Sequence, residues 1–219
     1  LPPCAAPPAA DECAVVELRQ YTLHPQQREV LIDLFDRALV ETQEAHGMRV
    51  LGQFRDLDRP DMFVWLRGFA HMESRRRALE GFYGGPVWAA HRNAANATMV
   101  DSDNVFLLCP AWPGSGIDAV NGERAVPGAT DIPPGLLDVA LFPLRQPDGN
   151  DLLTLCQSLL SPVLRQGGAQ RIGWYVSETG PNDFARLPVR ENEPVLVGLA
   201  LFDDLVAFET FALDGTWAR

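Results

Sequence analysis

The residues that could do chemistry fall on alternate positions of short apolar segments. Glu17, Arg19 and Tyr21 are spaced two apart, as are Trp65 and Arg67, while Arg171 and Tyr175 stand four apart in a third segment. Alternate side chains of an extended strand share a face. Each segment therefore gathers charged and aromatic groups on one side and leaves Val, Leu or Ile on the other. A carboxylate can take a proton, and guanidinium groups can hold the anion that proton loss creates. Glu17 is the candidate base, Arg19 and Arg67 the anion-stabilising pair, and Tyr21, Trp65, Arg171 and Tyr175 the wall against a substrate. A second candidate base is His91. Trp88, His91 and Arg92 stand at i, i+3 and i+4, one face of a helix, joining a group that titrates near neutral pH to an anion clamp and an aromatic contact. The competing reading is that the strand residues form satisfied ion pairs and that the helix carries a packed Trp beside a surface His/Arg pair.

All 18 basic residues are arginine, which excludes Schiff-base chemistry, a pyridoxal-phosphate lysine and a P-loop. Against 29 acidic residues they leave a net charge of −11 with no basic stripe, so nucleic acid is not an expected partner. The apolar runs are too short for a bilayer, so no membrane partner is expected either. Cys4, Cys13, Cys109 and Cys156 include no Cys-x-x-Cys pair, although Cys4 and Cys13 could close a small loop. The four histidines show no metal-ligand spacing. No metal or cofactor is expected, and a reduced, cytoplasmic compartment fits best. The run 101–104 (DSDN) opens like a calcium loop, but Phe106 and Trp112 stand where that loop needs Gly and Glu.

The elements that must position these residues come in two series. Residues 14–21 read as a strand, 26–45 as an amphipathic helix, 48–54 and 62–69 as a hairpin, 72–82 and 86–97 as helices, and 104–108 as a strand. Five glycines and four prolines in 111–135 mark a linker. Beyond it come a strand at 136–142, a helix at 151–164, strands at 170–176 and 194–202, and a helix at 204–213. Leu18 to Val50 and Val139 to Arg171 are both 32 residues apart, the register of a repeat. The division is a disordered Pro/Ala-rich leader at 1–13, a first repeat at 14–110, the linker, and a second repeat at 136–219. The fold class is α+β, with antiparallel sheets facing each other. The purely apolar strand faces are expected under the helices, and the charged faces between the two sheets.

The stretches 17–23 (ELRQYTL), 47–54 (GMRVLGQF), 82–93 (FYGGPVWAAHRN) and 101–104 (DSDN) resemble bacterial NIPSNAP-family proteins; 187–193 (LPVRENE) does so more loosely. The resemblance implies a dimeric α/β-barrel fold of ferredoxin-like repeats. Its wider superfamily holds haem enzymes, cofactor-independent monooxygenases, isomerases and decarboxylases, so the fold does not choose the chemistry. No catalytic residues come with the family. The superfamily's haem enzymes generally take the axial histidine from the later repeat, and no histidine follows Ala111 here. The expected function is binding of a small hydrophobic or aromatic metabolite between the sheets, with cofactor-independent oxygenation or isomerisation as the reaction. The alternatives are a non-catalytic binding or interaction protein, and haem binding through His91 or His24. A homodimer is compatible with the repeat.

Overall fold

The first strand, β1 (Val15–Leu23), is buried along nearly its whole length, as a strand covered on both faces must be. It pairs antiparallel with β3 (Met62–Phe69) on one side and β5 (Val105–Pro110) on the other, and β2 (Arg49–Arg55) forms the edge beyond β3. This is a computed structural model, and it describes residues 13–117, 125–129, 131–144 and 150–213. A three-residue strand, β4 (Met99–Asp101), unforeseen in the sequence, pairs with the end of β1. In the second series β8 (Val195–Phe202) lies between β6 (Leu136–Pro143) and β7 (Arg171–Ser177). Antiparallel pairing of β5 with β7 joins the two series into one sheet ordered β2-β3-β1-β5-β7-β8-β6.

The helix after β1 has three parts: α1 (Arg28–Leu34), a π-helical turn at Phe35–Leu39 and α2 (Val40–Ala45). The helix after β6 repeats the pattern as α5 (Asn150–Leu155), a π turn at Cys156–Leu160 and α6 (Ser161–Gln166). In both series the π turn begins 20 residues after the first residue of its strand, which carries the repeat further than the hydrophobic register does. Helix α3 (Met72–Gly84) starts with a reciprocal cap between His71 and Ser74, and α4 (Pro86–Thr98) follows at once with Pro86 in its first turn, where a missing N–H costs nothing. Helix α7 (Leu205–Leu213) follows β8.

Three apolar clusters hold these layers. One lies between the first sheet and α1 to α4, and another between β7, β8 and the second set of helices. The third joins Val16, Leu18, Leu66, Phe106 and Leu108 of the first series to Tyr175, Val195, Val197 and Leu199 of the second. This inter-sheet core corrects the face assignment for the first repeat. Its apolar strand face meets the sibling sheet, and the face bearing Glu17, Arg19, Tyr21, Trp65 and Arg67 lies under the helices. Pattern alone misassigns it because both faces of β1 and β3 are buried, so a polar face does not mark solvent or a lumen. In the second repeat the expectation matches the structure, with Trp174 under the helices and Tyr175 between the sheets. Gly198 makes room for Trp174, whose ring would stand 2.7 Å from a Cβ there.

The second hairpin loop, which joins β7 to β8 and is longer than the first, crosses to the first repeat. Arg190 N donates to Val105 O, Arg190 Nη1 donates to Asn104 Oδ1, and Leu187 and Val189 pack on the first helix-layer core. The expected linker is partly anchored too: Ser115 Oγ donates to Trp174 O, and Ile117 N to the Tyr175 hydroxyl at 2.7 Å. Cys4 and the leader up to residue 12 lie outside the described residues, and Cys13 keeps its thiol, buried over Gly68. Cys109 is disulfide-bonded, which does not favour the reducing compartment expected from cysteine spacing. Among the described residues, no helix is long and apolar enough to cross a membrane.

Candidate functional site

Register brings the first site residues together. Glu17 stands opposite Arg67 across the β1–β3 ladder, and Arg19 opposite Trp65. The Glu17 carboxylate accepts from Arg19 Nη1 at 2.6 Å, from Arg67 Nε at 2.7 Å and from Arg75 Nε of α3 at 2.8 Å. All four side chains are at most 1% exposed. Arg19 Nε donates to the Tyr21 hydroxyl at 2.8 Å, and Arg67 Nη1 donates to Gln43 Oε1 at 3.0 Å. Arg75 Nη1 reaches out of the core to Asn182 and Asp183 on the long β7–β8 loop. Burial alone would raise the Glu17 carboxyl, but the fields of Arg67, Arg19 and Arg75 outweigh it and hold the group well below the usual carboxylate range. Glu17 is thus ionised and spoken for by three cations, which makes it a weak base.

A small cavity of about 20 Å³ lies beside this network, room for about one water. Tyr21 and Trp65 line it from the sheet; Phe35, Leu39 and Gln43 from the first helix; and Phe82, Tyr83 and Trp88 from α3 and the start of α4. The π turn sets two of these, since Phe35 and Leu39 are its first and last residues. Rings pack edge to face around the cavity: Tyr21 on Trp65 at 5.9 Å, Phe35 on Trp65 at 4.9 Å and Tyr83 on Trp88 at 4.9 Å. The Arg67 guanidinium sits 5.1 Å from the Trp65 ring and 5.9 Å from that of Tyr83. Three buried donors of this cluster find no protein acceptor: Trp65 Nε1, Arg67 Nη2 and Arg75 Nη2. Trp174, the equally buried tryptophan of the second repeat, donates instead to Ser161 Oγ at 2.8 Å.

Glu17, Arg19, Arg67, Tyr21 and Trp65 thus form one cluster, and Trp88 borders its cavity. His91 is half-buried and Arg92 exposed on α4, and neither borders the cavity. Arg171 and Tyr175 are on the other sheet face, in the second repeat, with Tyr175 in the inter-sheet core. The charged cluster and its cavity therefore lie beneath the helices of the first repeat and not between the sheets. Sequence reasoning missed Gln43, Arg75, Tyr83 and Asp183. Arg75 lies within an Arg-Arg-Arg run that reads as a solvated face, yet it is fully buried while Arg76 and Arg77 are exposed. Its position one helical turn before Leu79, also fully buried, is the signal that could have found it.

The second repeat keeps only part of this pattern. Counted from the strand start, Asp138 occupies the place of Glu17, with Ala140 and Phe142 at those of Arg19 and Tyr21. Ala200 stands opposite Asp138 where Arg67 faces Glu17. Burial pushes the Asp138 carboxyl up, with no cation to offset it. Neither His24, which is exposed, nor His91 borders the cavity, and its volume is far below that of a porphyrin, so the residues present do not fit haem. Among the described residues, no three His, Cys, Asp or Glu side chains come together as a metal site.

Residues 16–112 match the NIPSNAP family. A NIPSNAP-family protein of unknown function from Agrobacterium tumefaciens is 16% identical, with 48% of this chain and 95% of its own covered at a TM-score of 0.43. An uncharacterised NIPSNAP-like domain protein from Burkholderia xenovorans is 23% identical, covering 52% of this chain and 90% of its own at 0.41. A provisionally named monooxygenase from Lactobacillus acidophilus spans both repeats: 9% identity, 91% of this chain and 81% of its own, TM-score 0.58. That likeness shows the fold alone. No curated protein matches the sequence. The first repeat of this chain, with its arginine-bound glutamate and capped helices, is the part that matches the NIPSNAP family.

Proposed function

We propose that this chain is a binding protein for a small aromatic or hydrophobic metabolite, held beneath the helices of its first repeat. The observation that carries this reading is the aromatic cavity walled by Tyr21, Trp65, Tyr83 and Trp88 against a buried charge network. The cavity has room for about one water, so a ligand enters by displacing Tyr83 and Trp88, the half-buried members of the wall. Glu17 serves as the fixed counter-ion that aligns three guanidiniums, and not as the base of a reaction. A cofactor-independent oxygenase or isomerase is the second reading. The unpartnered donors of Arg67 and Trp65 favour it, because they could hold an enolate-like anion. It then needs a base other than Glu17.

A thermal-shift screen of neutral aromatic metabolites tests the binding reading. Ligands should raise the Tm of the full chain, and Ala95→Val, which narrows the cavity from α4, should abolish the shift. Shifts that survive this substitution would place the ligand elsewhere. Consumption of oxygen or isomerisation of a hit would favour the second reading.

A further inference from the structure

Charge and geometry in the buried cluster point past a neutral ligand. Three guanidiniums, those of Arg19, Arg67 and Arg75, meet two carboxylates, Glu17 and Asp183. One positive charge is in excess, in a place where an uncompensated ion is costly. The way the arginines bind leaves their best edge unused. On the surface Arg55 grips Glu29 with Nε and Nη2 together, at 2.9 and 2.6 Å. Arg67 and Arg75 each reach Glu17 with Nε alone and turn Nη1 to other partners, so the Nη2 of each keeps two N–H groups unspent at 0% exposure. Trp65 Nε1 is a third unspent donor, and Trp65 borders the cavity. Unpaired donors on flat cations beside aromatic rings suit a planar, two-oxygen anion attached to an apolar body.

We propose that the first repeat carries a carboxylate-binding site for an aromatic or hydrophobic acid, with Arg67 and Arg75 as its anion clamp and Asp183 of the β7–β8 loop as a built-in competitor. This rests on the pocket proposed above and adds the charge of its ligand. Asp183 is the accessible member of the network, its side chain 21% exposed where the other four are at most 1%. It already occupies Arg75 Nη1, together with Asn182. The neighbouring Phe184 stacks on Tyr83, a cavity wall, at 5.9 Å and 30°. The loop therefore covers the cation and the aromatic wall at once. An entering acid supplies the missing negative charge, and release of Asp183 frees a second donor on Arg75 for it.

Calorimetric titration of the full chain with benzoate and with benzyl alcohol separates charge from ring. Benzoate should bind at least about tenfold more tightly, the worth of a hydrogen bond to a charged group. Asp183→Asn should strengthen benzoate binding several-fold and leave benzyl alcohol unchanged. Arg75→Gln should erase the preference for the acid; should that variant fail to fold, the Asp183→Asn comparison decides alone. Equal affinity for the two compounds, or benzoate binding indifferent to Asp183→Asn, overturns the carboxylate site while leaving an aromatic pocket intact. Binding of neither compound overturns both.

Discussion

Glu17 is the residue on which the first repeat turns. Replacing it by Gln leaves three buried guanidiniums without their shared anion, and breaking a buried pair in this way costs about 3–5 kcal/mol. Urea denaturation of Glu17→Gln should show that loss. Because the folded carboxyl lies below its unfolded range, the loss should be constant at neutral and mildly acidic pH. It should shrink progressively as pH falls from the unfolded carboxylate range, where the unfolded chain takes up a proton, towards the folded value, where the native carboxylate does. Asp138 has the opposite sign. Its folded pKa is raised, so whatever burial costs its charged form is fully present at neutral pH and fades as pH falls through the carboxylate range. Asp138→Asn should therefore raise the Tm at pH 7 and do little near pH 4, and a Tm lowered at pH 7 would contradict this reading of its surroundings.

Among elements, the β7–β8 loop carries the most consequence for its size. It is a loop of the second repeat that completes the first, through Asp183 on Arg75 and Phe184 on Tyr83. Phe184→Ala should cost about 3 kcal/mol, the lower end for a buried phenylalanine. Hydrogen exchange should speed up in α3 more than in α7, and equal effects on both would show that the loop does not brace the first repeat. The sequence showed this loop's length but not its destination, because a long-range contact leaves no periodicity. Strands and helices were legible because their residues alternate or recur every three to four positions, as in residues 62–69 and 26–45. The sheet faces of the first repeat were not, since hydrophobicity says which side is apolar and not which neighbour covers it. Arg19, Trp65 and Arg67 were legible as a set, but Gln43 and Arg75 come from helices, and only the packing of α2 and α3 on the sheet brings them to Glu17.

Across the whole molecule, one continuous sheet separates two kinds of interior. The inter-sheet core of Val16, Leu18, Leu66, Val197 and Leu199 is apolar and holds the repeats together. The helix-layer interior of the first repeat is where charge, rings and a cavity meet, while its counterpart in the second keeps only Asp138 of the ionic pattern. Under the proposed function, this asymmetry confines the ligand to one of two similar halves. The most direct test is a titration of ¹⁵N-labelled protein with benzyl alcohol or benzoate, followed by the indole N–H of Trp65 and the backbone amides of both interiors. A site beneath the helices of the first repeat requires the Trp65 indole and the amides of Tyr21, Gln43 and Tyr83 to shift, with Tyr175, Val197 and Leu199 still. Shifts confined to Tyr175, Val197 and Leu199 would put the ligand between the sheets and contradict it.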